Sequence, residues 1–134
     1  MKIEDELGFW IGHHEFDKVK SELDKGIDIN YRNKDGLSYL HIATINYDLD
    51  LVKLLIERGC EVDGVDNKNK TALMYSLGNR HNNSKKIAKY LIDNGANLDL
   101  RGIKYTPREM IEMFKFDDLK KYIEEKENNQ YDNK

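Results

Sequence analysis

Helix-ending glycines recur in this chain at Gly26, Gly59 and Gly95, with spacings of 33 and 36 residues, and that period limits the fold more than any other feature. Matching residues follow each one: Ile27-Asp28-Ile29-Asn30, Cys60-Glu61-Val62-Asp63 and Ala96-Asn97-Leu98-Asp99. The polar residues that open helices repeat as well, Ser38, Thr71 and Thr106 being 33 and 35 apart. The stretch from Asp35 to Asp66 contains the most complete copy. Leu40 and Ala43 share helical spacing, and Leu51, Val52, Leu55 and Ile56 form the broad apolar face of a second helix. Arg58 and Gly59 then supply a cation in the last turn and a left-handed stop. Two short antiparallel helices of roughly 33 residues cannot bury their apolar faces alone, so the copies must stack on one another. The pattern predicts an all-α solenoid of helix-turn-helix units.

Composition narrows the setting. The 134 residues fit one domain, and a formal charge of −3 with 35% charged residues is compatible with a soluble globular chain. No run approaches the roughly 18 apolar residues of a membrane span, and the start, Met1-Lys2-Ile3-Glu4-Asp5-Glu6, is acidic where a secretion signal would be basic and then apolar. Both features predict a cytoplasmic protein. Cys60 is the only cysteine, which excludes an intrachain disulfide and a cysteine-rich metal site and reads as a small buried hydrophobe. The glycines stand singly, so there is no Gly-rich phosphate loop.

The residues that carry the repeat resemble a known family. Gly36-Leu37-Ser38-Tyr39-Leu40-His41-Ile42-Ala43 is similar to the ankyrin signature G-x-T-P-L-H-x-A, with Ser for Thr and Tyr for Pro. Leu51 to Asp63 resembles the second helix and exit of that repeat, and the likeness runs over about residues 5 to 125. It implies an ankyrin-repeat solenoid whose units are joined by short β-hairpin-like loops, or fingers, and present a concave face. The expected units are about residues 4–33, 34–65, 66–100 and 101–125 within a repeat domain 1–125, with 126–134 as a disordered tail that has nothing to pack against.

The units differ from one another in informative ways. The first lacks an incoming finger and has Trp10 and Ile11 where the family places small residues, while Glu22 interrupts its second-helix stripe, as suits an end unit. The third has 11 residues from Ser76 to Ile87 where the second has 8 from Ala43 to Leu51. Ser84 is the expected N-cap after that polar insertion. In the last unit Thr106-Pro107-Arg108-Glu109 predicts a capping box with proline in the first helical position. The third finger is one residue shorter than the second.

Candidate chemistry is sparse. By the resemblance, His41 hydrogen-bonds finger backbone and ties units together. His13 and His14 are adjacent on a helix, point about 100° apart and do not converge on one ion. Asp48/Asp50 and Asp117/Asp118 precede second helices, where negative charge is favourable without any catalytic role. Lys85-Lys86 and Lys120-Lys121 read as solvated faces. No pattern asks for a metal or another cofactor, and none identifies a reaction.

Ankyrin proteins usually engage partners with finger tips and inner helices, so the resemblance assigns contact residues. Arg32, Lys34, Asp35 and Leu37 fall in the first finger; Val65, Asn67, Lys68 and Lys70 in the second; Arg101, Lys104 and Tyr105 in the third. Ile45 and Asn46 end one inner helix, and Gly78, Asn79, Arg80 and His81 stand beside the longer loop. The expected contact set is Arg32, Lys34, Leu37, Ile45, Asn46, Val65, Lys68, Lys70, Asn79, Arg80, His81, Arg101, Lys104 and Tyr105. Seven cations oppose Asp35 across these positions, a basic face on an acidic chain. The expectation is a monomeric, non-enzymatic module with no second domain, which captures a folded, acidic-surfaced partner as an inhibitor or a toxin-neutralising immunity protein would. Nucleic-acid binding through the basic fingers is one alternative, and an enzyme with a site in the 78–84 loop is another.

Overall fold

The computed structural model describes residues 2–132. Its helices fall in four pairs: α1 (Ile3–Gly12) with α2 (Phe16–Asp24), α3 (Tyr39–Ile45) with α4 (Leu49–Glu57), α5 (Ala72–Leu77) with α6 (Asn82–Asp93), and α7 (Pro107–Met113) with α8 (Asp117–Asp132). First helices pack on first helices, α1 on α3, α3 on α5 and α5 on α7, while second helices form an outer layer in which α2 meets α4 and α4 meets α6. The fingers project between successive pairs. Among the described residues they contain no named strand, only one antiparallel bridge between Arg32 and Ser38.

The apolar stripes read from the sequence become one continuous core. Leu7, Ile11, Leu40, Leu51, Leu55, Leu73, Leu77, Ile87 and Leu91 are almost completely buried, each unit covering the next. The helix ends follow the expected chemistry. Gly26, Gly59 and Gly95 have φ of 93°, 84° and 90°, the left-handed region where a side chain would be strained. Ser38, Thr71 and Thr106 each accept a backbone N–H in the first turn of α3, α5 and α7, and Thr106 and Glu109 complete the capping box.

Tyr39, the substitution for the signature proline, has a structural use. It is buried at the start of α3, where its hydroxyl donates to the Glu4 carbonyl at 2.8 Å and its ring lies 6.1 Å from that of Tyr31. Tyr31 in turn donates to Asp5 at 2.9 Å. Tyr39 thus joins the second unit to a first unit that brings no finger of its own, and Tyr31 stacks on it from within the first unit.

Two expectations need correction. Ser84 does not cap α6: the helix begins earlier, His81 Nδ1 accepts from the Asn83 amide at 3.1 Å, and Ser84 lies buried within the helix with no hydrogen-bond partner for Oγ among the described residues. The inserted residues carry their own cap, so the next polar residue is displaced into the packing. The tail expected to be disordered from about Lys126 instead continues α8 to Asp132; residues 133–134 lie outside the described residues. It does have partners, since Lys126 Nζ is 2.9 Å from Asp93 and the Glu127 carboxylate receives two bonds from Arg108 at 3.1 and 3.2 Å. Charged residues that cannot enter a core still fix a helix when opposite charges face them across the groove.

Candidate interaction surface

Each finger is held by its own side chains and by its neighbour. In the first, Asn33 Oδ1 accepts from the amides of Asp35 and Leu37 at 2.9 and 3.0 Å. Asn67 of the second finger reaches back with its amide to Asp35 O at 3.1 Å and with Nδ2 to Lys34 O at 2.9 Å. That approach requires Gly36, because a Cβ there would stand 2.7 Å from the Asn67 nitrogen on a φ of 76°. Asp66 organises the second finger, with Oδ1 accepting from the Lys68 and Lys70 amides at 2.9 Å each and Oδ2 from the Tyr75 hydroxyl. Asn69 extends the chain of contacts by donating to Arg101 O at 3.3 Å. Repeated side-chain-to-carbonyl bonds therefore make the fingers a single row.

His41 locks that row to the inner helices. Its Nδ1 accepts from the Ser38 amide at 3.1 Å, which leaves Nε2 protonated to donate to Lys70 O at 2.8 Å. Burial holds the imidazole below its usual pKa, only partly offset by the bond to Lys70. Burial pushes the Asp66 carboxyl up, but the bonds from Tyr75, Lys70 and Lys68 outweigh it and leave the group below its usual value. Tyr75 is pushed up to about 12 by burial and by Asp66. All three shifts favour the bonded, resting form of a structural network.

The contact residues expected from the sequence divide into two populations. Lys34, Lys68 and Lys104 are exposed on the fingers, and among the described residues no carboxylate stands within ion-pair reach of them. Lys70 lies 4.9 Å over the Tyr75 ring. Leu37 and Val65 are half-buried, while Ile45 and Tyr105 are exposed at 38% and 37%. The arginines, by contrast, are engaged within the chain. Arg32 donates to Val65 O and approaches Glu61 at 3.5 Å; Arg101 donates to Lys104 O at 2.8 Å and pairs with Glu109 at 3.4 Å. Arg80 donates to Phe114 O and covers the Phe116 ring at 4.8 Å.

His81, Asn79 and Asn46 are likewise occupied: His81 stacks on Tyr47 at 4.3 Å, Asn79 Oδ1 accepts from the His81 amide, and Asn46 Nδ2 donates to Ile42 O. With Asn83 donating to Tyr47 O at 3.1 Å and His14 bonded to Asp48 at 2.7 Å, the turns between paired helices form a second set of ties between units. The 78–84 loop thus brings its side chains to the neighbouring units. Arginines fixed in this way are also poorly placed to grip phosphates.

An open groove of about 790 Å³ lies between the first finger and the inner helices, with Arg32, Lys34 and Leu37 on one side and Gly8, Phe9 and Ile42 on the other. Phe9, 57% exposed and stacked on His13 at 4.1 Å, was missed by the sequence reading, as were Met113, Phe114 and Ile103. A signal for them existed. Phe9 is 33 residues before Ile42, and Met113 is 68 after Ile45, so both occupy inner-helix register positions of the same repeat. No cluster of His, Cys, Asp and Glu able to hold a metal occurs among the described residues, and burial pushes the Cys60 thiol up to about 11.

Stacked helix pairs, left-handed exits and a finger row bonded to an inner histidine define a solenoid interaction scaffold. Residues 11–101 match the family described as Ankyrin repeats (3 copies), and the chain belongs to the ankyrin repeat family, whose repeats are protein–protein interaction modules and generally non-enzymatic. Similar proteins include the B-cell lymphoma 3 protein homolog of Mus musculus, 35% identical over 60% of this chain and 18% of its own length. Ankyrin repeat and SAM domain-containing protein 6 of Mus musculus is 35% identical over 64% of this chain and 10% of its own. Serine/threonine-protein kinase 12 of Arabidopsis thaliana is 44% identical over 36% and 10%. The chain thus spans less than a fifth of the length of these relatives. No helix among the described residues is long and apolar enough to cross a membrane.

Proposed function

We propose that this chain is a non-enzymatic module that captures a folded, acidic-surfaced protein on the concave face formed by its fingers and first helices. One observation carries the reading. Of the nine exposed large hydrophobics among the described residues, eight lie on first helices, on the turns after them or on the third finger, and only Phe16 lies on a second helix. Solvated surfaces do not segregate apolar groups in this way without a use for them, and apolar anchors beside unpaired cations have the anatomy of a protein interface. Lys34, Lys68 and Lys104 supply steering toward acidic surface, and Ile45, Tyr105 and Phe9 the buried contacts.

The module acts by occupying its partner, as a monomer in the cytoplasm. Its finer form is neutralisation of a toxin by an immunity protein, one way of acting by occupation. Protection of cells that co-express the protein encoded beside it is the test of that form. The binding surface itself is tested by isolating the partner by affinity capture and titrating it against the wild type, Ile45→Glu with Lys68→Glu, and Glu57→Lys. The double change weakens binding by about tenfold or more, about 1.4 kcal/mol, while the outer-helix change leaves it intact. Equal affinity for all three proteins would overturn the concave-face assignment.

A further inference from the structure

The outer layer opens where the third unit meets the fourth. The seam between α6 and α8 is looser than that between α4 and α6. Between α6 and the turn that leads into α8 lies an open groove of about 430 Å³, a size suited to one or two inserted side chains. Leu77, Ala88, Phe116 and Leu119 line it, with the Tyr122 ring at one end. Arg80, carried by the longer α5–α6 connection, closes the other end over Phe116.

The charge along this groove is lopsided. Arg80, Lys85, Lys86, Lys89 and Lys115 line it, against Asp117 and Asp118. Those two carboxylates stand in the first turn of α8, where the helix N-terminus already offsets them. Lys89 lies 4.6 Å over Tyr122, whereas Lys85, Lys86 and Lys115 have no ion-pair partner among the described residues. An acidic chain thus carries a local excess of positive charge around an apolar slot, away from the fingers.

We propose that this groove is a second docking site, which binds an acidic peptide segment through an apolar anchor. A cationic rim alone would take any anion. The apolar wall adds a requirement for a Leu or Phe side chain, and the lysine rim requires carboxylates on either side of it. The fingers take no part in the site, because none of its lining residues belongs to one.

Fluorescence anisotropy of the labelled peptide Glu-Asp-Leu-Asp-Glu-Phe-Leu-Glu-Asp with the whole protein tests it. The expected result is saturable binding that falls about tenfold or more in Lys85→Glu with Lys86→Glu and is unchanged in Lys34→Glu with Lys68→Glu. Both pairs are exposed and outside the core, so circular dichroism serves as a check that each variant is folded. Replacing Leu and Phe in the peptide by Ser abolishes binding if the slot is used. No binding, equal binding by the Ser peptide, or equal loss in the finger variant would each overturn the proposal.

Discussion

The inner and outer layers of this solenoid are made from the same repeat and share one apolar core, but they differ in what they leave exposed. In the outer layer Leu51, Leu55, Ile87 and Leu91 interlock with no solvent contact, and the surfaces of α4 and α6 expose no large hydrophobic residue. In the inner layer Leu7, Ile11, Leu40, Leu73 and Leu77 are buried in the same core, the fingers beside it add polar ties, His41 to Lys70 O and Asn67 to Lys34 O, and further apolar side chains face outward. Directional bonds fix the spacing of the fingers without using side-chain area, and so leave Ile45, Tyr105 and Phe9 available for a partner. A layer that relied on apolar interlock throughout would have consumed them.

Truncation within the outer layer gives the largest expected effect. Leu91→Ala removes a fully buried side chain from α6 and should destabilise the protein by about 2–5 kcal/mol in urea unfolding, with affinity per folded molecule unchanged. A loss of affinity without a loss of stability would break the division between layers. Next comes His41→Ala, which leaves the Lys70 carbonyl and the Ser38 amide without their partner and should cost about 1–3 kcal/mol. This change also has a pH signature. Because the folded imidazole is held below its usual value of 6.5, the unfolded chain binds the proton first. The contribution of His41 to stability is therefore complete above 6.5 and is lost as pH falls through its folded pKa. Urea midpoints measured across that window should slope for the wild type and flatten for His41→Ala.

Smaller effects sharpen the contrast. Ile45→Glu with Lys68→Glu should change stability by no more than about 0.5 kcal/mol while weakening the partner about tenfold. Ser84→Ala should be neutral or raise stability by up to about 1 kcal/mol, since the buried hydroxyl has no partner to lose among the described residues. A clear destabilisation there would mean that Ser84 contributes a polar tie to the outer layer after all.

Much of the fold was legible because its cues are local. Gly59 stops α4, Thr106 and Glu109 cap α7, and the 3.6-residue periodicity of Leu51 to Ile56 selects the buried face; each depends on a few neighbouring residues. The α8 extension was not legible, because its support comes from Asp93 and Arg108, distant in sequence. Ser84 misled for the opposite reason. It is a good cap by composition, but His81 reached the free amides first.

The surface shows the same boundary. By itself, the sequence determined that stacked helical pairs exist, where most of them start and stop, and that cations concentrate on the fingers. Only the tertiary structure decided which of the exposed cations find a partner within the chain. Arg32 and Arg80, whose long guanidinium forks reach carbonyls of residues brought near by stacking, became ties between units, and Arg101 a tie within its finger, while Lys34, Lys68 and Lys104 meet no ion-pair partner among the described residues. Local periodicity fixes which side of a helix is buried; whether an exposed charge meets a partner depends on distances between units, which no single repeat encodes.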